Sequence, residues 1–282
     1  SDLRPIPSPQ GGVATCPSIG PKIPRKQYII ESFHAVKDLV IVGDFEPEEA
    51  KGFVEKYFGP IPKSEVPPVP DLAEPRQEKE IKAERKDPLA NRPALAFAYH
   101  MPERNTPEYY AMGLLDQMLV QGDDSLLYEE LVKKHGYAGS ISGGINAELG
   151  DMFDYDGPMV WTASLIHDAN VSADQIMSSV DGVIDRLQSQ PVDQKLLDRN
   201  RTKMRSYIYD SMTQFAGFGR ANMLACFALF DNDPSRINEL EAHFNSVTPE
   251  LIERTAREYL GRTNRTVLVW EPGAKTTTGG EQ

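Results

Sequence analysis

The chain has 282 residues, of which 40% are hydrophobic and 26% are charged. This length and composition fit one large or two modest folded domains and exclude wholesale disorder. Acidic residues outnumber basic ones by 42 to 30, leaving a net charge of -12, so we expect no nucleic-acid partner. No apolar run reaches the roughly 18 residues of a membrane helix. With only two cysteines, a disulfide scaffold or a cysteine-rich zinc fold is excluded.

The first part of the chain is predicted to be an extended arm followed by a strand and a helix. Residues 1–35 form the arm, because prolines and glycines are concentrated there and prevent regular structure. The apolar run 39–42 ends at turn residues, as expected for a buried strand. Pro47 suits the first position of a helix with an apolar face, and Gly59 should end that helix.

A linker is predicted over residues 63–89. Prolines recur in its first half, and the charged stretch 76–86 follows them, a pattern typical of a linker or of a crossing at an outer edge. The segments on either side, 36–62 and 90–272, are therefore expected to belong to different domains. Residues 273–282 are small and polar and should form a flexible tail.

Strand and helix patterns alternate within residues 90–272, and two strands in the middle should pair as a hairpin through residues 148–151. The predicted strands are 94–99, 137–147, 152–165 and 266–270, and the predicted helices are one starting at Thr106-Pro107 and those at 123–134, 172–187, 192–215, 218–230, 234–244 and 248–261. This order indicates an α+β fold with a mixed, mainly antiparallel sheet covered by helices on one face, so that the other face can remain free.

Several short segments, taken together, resemble one family. They are Leu39-Val40-Ile41-Val42-Gly43-Asp44-Phe45, Tyr57-Phe58-Gly59-Pro60-Ile61-Pro62, Tyr99-His100-Met101-Pro102, Pro107-Glu108-Tyr109-Tyr110-Ala111, Ser125-Leu126-Leu127-Tyr128-Glu129-Glu130-Leu131-Val132, Val247-Thr248-Pro249-Glu250 and Asn264-Arg265-Thr266-Val267. In their order and spacing they resemble the pitrilysin/insulinase family of zinc metallopeptidases, which includes the mitochondrial processing peptidase.

The resemblance implies a particular domain organisation. Members of the family consist of repeated α+β domains, and a pair of such domains closes around an extended or unfolded peptide. Residues 36–62 resemble the C-terminal remnant of a first repeat. Residues 90–272 resemble a whole second repeat, which is the repeat without zinc.

The resemblance also implies where the zinc should be. The family's chemistry requires a His-x-x-Glu-His helix in the first repeat, where two histidines hold zinc and the glutamate activates a water. The five histidines of this chain include no pair three or four residues apart, so the motif is absent. We therefore predict no catalytic residue, no metal ligand and no cofactor in this chain, and we expect zinc in a missing half or in a partner that bears the motif.

One substrate-binding residue is suggested by the resemblance. The family uses an arginine and a tyrosine in the strand region of the second repeat to hold substrate. Tyr155 is the candidate here, but no arginine occurs between residues 148 and 165. The role of Tyr155 therefore depends on a pair that the sequence shows only in part.

Other residues could carry chemistry, although an ordinary structural or solvated role is favoured for each. These are His34 and His100 near predicted strands, the pairs Glu48-Glu49 and Glu129-Glu130, the group Asp151, Asp154 and Asp156, the basic stretch Arg199, Arg201, Lys203 and Arg205, and Cys226. The acidic group lacks the spacing of a calcium loop, and Cys226 stands among apolar residues as a buried thiol would.

Two functions remain open from the sequence. The favoured one is the zinc-free part of a pitrilysin-type metallopeptidase, inactive alone, which forms a wall of the peptide-binding chamber and works with a His-x-x-Glu-His domain or subunit. The alternative is a non-enzymatic interaction module of the same fold that binds an extended segment or a sister subunit through its sheet. The family's habits suggest a periplasmic location in a bacterium.

Overall fold

The computed structural model describes residues 29–30, 39–62, 73–147 and 150–273. The chain divides into two compact units. We call Leu72–Ser206 with Glu239–Gln282 the sheet unit, and Ser1–Asp71 with Tyr207–Asn238 the flanking unit. The predicted arm, apart from the backbone of residues 29–30, and the predicted tail beyond Gly273 lie outside the described residues.

The flanking unit begins with two very short strands and a helix. Strand β1, Ile29–Ile30, pairs antiparallel with β2, Ile41–Val42. Helix α1, Pro47–Phe58, starts at a proline and ends at Gly59, as predicted. The prediction of a buried strand at 39–42 is wrong, because β2 has only two residues and both are half-buried. A two-residue ladder offers no sheet that could cover them.

The apolar face of α1 is largely exposed. None of its residues is buried, and Tyr57 and Phe58 retain 54% and 41% of their accessible surface. Lys56 lies 5.1 Å from the ring centroid of Tyr57. The helix therefore forms where its capping signals predict it, but it buries little of the surface that normally stabilises such a helix.

The sheet unit is built on a five-stranded sheet with the order β3-β7-β4-β6-β5. Its strands are β3 Ile81–Asp87, β4 Ala94–His100, β5 Ser142–Ile145, β6 Val160–Ile166 and β7 Arg265–Pro272. Strand β3 runs parallel to β7, and the other neighbouring strands are antiparallel. The prediction of a mixed, mainly antiparallel sheet is confirmed.

Helices cover one face of this sheet. They include α2 Pro107–Leu119, α3 Leu126–Tyr128 with a π-helical continuation Glu129–Lys134, α4 Ala173–Ser189, α6 Leu240–Ser246 and α7 Pro249–Tyr259. Helices α2 and α4 both pack against α7. The side chains of Thr106 and Thr248 cap α2 and α7, and Ser172 forms a capping box with Gln175 at the start of α4.

The long helix α5, the edge strand and the middle hairpin differ from the prediction. The two middle strands pair as predicted, but β5 and β6 are shorter than the predicted strands 137–147 and 152–165, so their connection is longer than residues 148–151. Helix α5 is continuous over Gln194–Asp231, where two helices were predicted, and a 3₁₀ turn, Pro234–Asn238, follows it. The predicted linker 63–89 is wrong over its last part, because β3 occupies Ile81–Asp87 and pairs with all of β7 but its first residue. Strand β3 lies at the edge of the sheet, so its charged side chains can stay in water.

The core lies between the sheet and the helices. On β4 every second side chain, Leu95, Phe97 and Tyr99, is 1% exposed, and Trp161 on β6 is 0% exposed. The rings of Phe97 and Trp161 lie 6.0 Å apart. Burying each such side chain stabilises the fold by about 1.5–3 kcal/mol. This alternation makes the helix-covered face of β4 the centre of the unit.

A buried arginine ties the rim of the sheet to the helices. Arg265 begins β7 and is 3% exposed. Its Nε donates to Glu80 Oε1 at 2.7 Å, and its Nη1 donates to Asp181 of α4. The neighbouring Tyr99 hydroxyl has its pKa raised to about 12, chiefly by burial. Because Glu80 precedes β3, this network fixes the start of the edge strand.

Candidate functional site

Among the described residues, the face of the sheet opposite the helices carries half-exposed and exposed side chains. On its central strand, Ala94, Ala96 and Ala98 alternate with the core residues and are half-exposed. The strand register gives each alanine one neighbour from β7 and one from β6. These flanking residues are Trp270 and Ile166 beside Ala94, Leu268 and Ser164 beside Ala96, and Thr266 and Thr162 beside Ala98. We call this surface the open face.

From the strand register we infer a shallow groove along β4 on the open face. Its floor is made of alanine side chains, and its walls are the larger side chains of β7 and β6. Neighbouring strands lie about 4.8 Å apart, so these walls are separated by roughly 10 Å. A single extended chain with its side chains fits a groove of this width. We call it the β4 groove.

One end of the β4 groove is apolar. Trp270 and Ile166 stand on either side of Ala94, and they expose 38% and 58% of their surface. Exposed large apolar side chains that face each other across a small residue are typical of a recognition surface rather than of a solvated one. This end can therefore receive a bulky apolar side chain.

A pocket of about 570 Å³ lies at the other end of β4. His100, the last residue of β4, lies at this end. Four other segments complete the wall: the stretch before β3, the loop from β4 to α2, the loop before β6, and the region between α7 and β7. The lining residues are Ala73, Glu74, Pro75, Arg76, His100, Met101, Pro102, Glu103, Arg104, Asp156, Gly157, Pro158, Met159, Tyr259 and Asn264.

Side-chain contacts hold the segment before β3 against this pocket. Arg76 forms an ion pair with Glu258 at 3.3 Å and lies 5.5 Å from the ring centroid of Tyr259. His100 Nδ1 lies 3.6 Å from Glu74 Oε2. Residues that the sequence placed in a linker thus form one wall of the pocket. His100, considered as a possible ligand, lines this pocket.

Tyr155 lies next to the pocket. It is half-buried, and its ring lies over Gly157, where an added Cβ would come within 2.8 Å of it. An arginine from another loop contacts this segment: Arg104 Nη1 donates to the main-chain oxygen of Tyr155 at 3.2 Å and to that of Phe153 at 3.0 Å. The substrate-binding role of Tyr155 stays a prediction.

Among the acidic candidates, Asp156 lines the pocket, whereas the others described next are placed as ordinary structural groups. Glu130 accepts from Lys134 at 2.7 Å and lies near His135 and Arg186. Its pKa is lowered, with the Lys134 hydrogen bond as the largest cause. Asp151 accepts from the main-chain nitrogen of Phe153 at 2.6 Å, as in a turn. The pair Glu48 and Glu49 is exposed in the first turn of α1.

The basic stretch on α5 is committed to intramolecular contacts. Lys203 binds Asp124 at 2.9 Å, and Arg201 donates to the main-chain oxygen of Val247 at 2.6 Å. Arg199 and Arg205 pair with Asp124 and Glu241. Cys226 is 6% exposed. His34 lies outside the described residues.

The histidines that the structure describes do not gather into a zinc site. His100 and His135 each contact a different glutamate, at 3.6 and 3.2 Å, and His167 Nδ1 lies 3.0 Å from the main-chain oxygen of Asp168. Within the described ranges, no three His, Cys, Asp or Glu side chains gather as metal ligands would.

A buried carboxylate that the sequence did not reveal lies beneath the sheet. Asp116 of α2 is 7% exposed, accepts from Trp161 Nε1 at 2.8 Å and accepts from Gln121 Nε2 at 3.1 Å. Burial raises its pKa to about 7. The only sequence signal was an aspartate inside the apolar run of α2. Asp116 lies on the helix side, so it supports the sheet rather than lining the β4 groove.

The comparisons identify the family. The sequence model described as the peptidase M16 inactive domain matches residues 38–204. A search of curated proteins found no match. The fold is similar to that of a protease from Helicobacter pylori, with a TM-score of 0.72 and 19% identity over 83% of this chain and 54% of that one.

Two further solved structures share the fold. The peptidase M16 inactive domain from Pseudomonas fluorescens has a TM-score of 0.65 and 17% identity over 84% of this chain and 53% of that one. The periplasmic protease PqqL from Escherichia coli has a TM-score of 0.59 and 16% identity over 83% of this chain and 25% of that one. This chain thus spans about half the length of the first two structures.

The chain belongs to the family of peptidase M16 inactive domains, part of a zinc-protease family. This confirms the resemblance to pitrilysin-type peptidases and the α+β fold inferred from the sequence. Among the described helices, none combines the length and the apolar character that crossing a bilayer requires.

Proposed function

We propose that this chain forms the zinc-free wall of a peptide-binding chamber in an M16-type metallopeptidase. The observation that carries the proposal is the open face, where the register places alanines of β4 between larger side chains of β7 and β6, with a pocket at the His100 end. A protein that binds unfolded peptides must offset the entropy of ordering them, and a preformed groove supplies contacts along an extended chain.

The hydrolytic step belongs to a partner in this proposal. A domain or subunit with the His-x-x-Glu-His motif would hold zinc, which activates a water for attack on the peptide bond. This chain would align the peptide and exclude water, and alignment lowers the barrier to reaction. Tyr155 and Arg104 would stand beside the bound segment near the pocket. Residues 36–62 would be the end of a preceding repeat and residues 90–272 the enclosing domain, with β3 now added to it.

The location is proposed to be periplasmic. The support is the name of one structural relative, the periplasmic protease PqqL. Fractionation of the source cells, with marker enzymes for each compartment, tests this. Recovery with cytoplasmic markers contradicts it.

Reconstitution tests the proposed function. The chain is mixed with a His-x-x-Glu-His partner from the same genome, and hydrolysis of a quenched fluorescent peptide is followed together with association by sedimentation. We expect the chain alone to be inactive and the mixture to be much faster than the partner alone. Equal activity without this chain, or no association, would refute the chamber wall and favour a non-enzymatic interaction module.

A further inference from the structure

We infer that the open face selects an extended peptide with a bulky apolar residue at one position and a lysine or arginine about six residues away. This specificity rests on the proposed function and adds a substrate class to it. It combines the apolar end of the β4 groove, the pocket at the opposite end, and the distance between them.

The spacing follows from the length of β4. Ala94 marks the apolar end and His100 marks the entrance to the pocket, and these are the first and last residues of the strand. A strand rises about 3.3 Å per residue, so the two ends are roughly 20 Å apart. A peptide lying extended along β4 has the same rise. Its two recognised side chains should therefore be about six positions apart.

The apolar end selects by shape. Ala94 provides no side chain beyond Cβ, while Trp270 and Ile166 stand on either side of it. A phenylalanine or leucine placed over Ala94 would bury apolar surface of both neighbours. Such burial is favourable by about 25 cal/mol per Å².

The pocket selects by charge. The carboxylates of Glu103 and Asp156 form no hydrogen bond or ion pair with the described residues. The two arginines of the lining are already engaged: Arg76 with Glu258, and Arg104 with main-chain oxygens. Counting Glu74, three carboxylates of the lining face two guanidinium groups, and one of these, that of Arg76, is already paired with Glu258 outside the lining. The surplus is negative, as is the whole chain, so a cationic side chain is complementary.

The lining also suits the stem of a long cationic side chain. Met101, Pro102, Pro158 and Met159 provide apolar surface next to the carboxylates. Lysine and arginine side chains commonly lay their methylene groups along apolar surface while the charged end reaches polar partners. A pocket of about 570 Å³ has ample room for either side chain.

Peptide binding to the full chain tests the inference. The probes are N-acetylated, C-amidated serine-rich peptides that contain one phenylalanine and one lysine at spacings of two, four, six or eight, in both orders. Affinity is measured by isothermal titration calorimetry. We expect the tightest binding at a spacing of six, with replacement of the lysine by norleucine weakening it about tenfold, as two exposed charge pairs allow. Acetylation ensures that the cation is the side chain and not the terminus.

Paired protein variants locate the two subsites. The double variant Glu103→Gln with Asp156→Asn should remove the preference for lysine over norleucine. The control is Glu84→Gln, which removes an exposed carboxylate of β3 away from the open face and should keep that preference. Trp270→Ala should weaken the phenylalanine peptide but not a peptide with alanine in its place. Thermal unfolding of each variant shows that the fold is retained, and all these positions are exposed.

Two results overturn the inference in distinguishable ways. If peptides of every spacing, and those with norleucine in place of lysine, bind with equal affinity, the proposed specificity is wrong but the chain still binds peptides. If no peptide binds, the proposed specificity is wrong. If reconstituted hydrolysis fails as well, the proposed function is also wrong.

Discussion

The two faces of strand β4 differ in role, and alternate residues of the same short segment belong to one face or the other. Leu95, Phe97 and Tyr99 fill the core, while Ala94 and Ala96 leave room on the open face. Because strand side chains alternate between faces, each task can be changed with little effect on the other. Stability should therefore depend on one set of positions and peptide recognition on the other.

The largest effect is expected for a core residue of β4. Phe97→Ala should lower the free energy of unfolding by about 3–5 kcal/mol, because it removes a ring that packs against Trp161 and leaves a cavity. Urea unfolding measures this. Ile166→Ala on the open face is the matched control and should cost under about 1 kcal/mol. Similar decreases in the free energy of unfolding for the two variants would contradict the difference between the two faces.

The buried Asp116 should make the helix-covered face sensitive to pH. Its pKa is raised to about 7 by burial, whereas an exposed aspartate titrates near 3.9. Between these values the folded protein keeps a proton that the unfolded chain releases. Stability should therefore fall as pH rises from about 4 to 7 and change little above that range.

Substitution isolates this contribution. We compare the free energy of unfolding of Asp116→Asn with that of the natural chain. The difference in favour of Asp116→Asn should be about 2–4 kcal/mol larger at pH 8 than at pH 4. Urea unfolding of both proteins across this range provides the measurement. The control is Asp124→Asn, since the hydrogen bond from Lys203 lowers the pKa of Asp124 and its stabilisation is lost only as pH falls. Parallel curves for Asp116→Asn and the natural chain would contradict the prediction.

The buried arginine gives the next effect. Arg265→Met leaves Glu80 and Asp181 without their buried partner, and unfolding should become easier by about 2–3 kcal/mol. Arg262→Met is the control, because Arg262 also pairs with Asp181 but its side chain is 70% exposed. That variant should lose under about 1 kcal/mol. Hydrogen exchange in β3 should accelerate only for Arg265→Met.

The smallest change in stability is expected for a substitution in the β4 groove, which should nevertheless strongly affect peptide hydrolysis. Ala96→Leu fills the floor of the β4 groove from the open face and should change the free energy of unfolding by less than about 1 kcal/mol. It should nevertheless abolish the stimulation of hydrolysis by this chain. Glu84→Leu, on an exposed position of β3, is the control and should keep the stimulation. Full activity of Ala96→Leu would show that peptides do not use the groove.

The elements with strong local signals were predictable. Helices α2, α4 and α7 begin at Thr106, Ser172 and Thr248, whose side chains cap them as the sequence indicates. Strand β4 shows clear alternation around Phe97. In contrast, α5 runs unbroken through the predicted boundary near residue 216, because tertiary context can override a weak local preference for helix.

The site was predictable only in outline. A free sheet face follows from helices on the other side, but the groove requires the strand register, which no local pattern provides. The pocket joins segments as distant as Glu74, Asp156 and Asn264. The partner of Tyr155 is Arg104, about 50 residues earlier, so a search near Tyr155 could not find it. Strand β3 was missed since an exposed edge strand lacks apolar alternation.

The position of β7 has a consequence for how the protein is made. Strand β3 has β7 as its neighbour in the sheet, and β7 is synthesised about 180 residues later. At 5–20 residues per second, β3 waits roughly 9–36 s for its partner on the ribosome. An apolar strand left unpaired for that time would aggregate with other chains. The charges of Lys82, Glu84 and Lys86 therefore protect the nascent chain, which gives a physical reason for a strand whose composition resembles a linker.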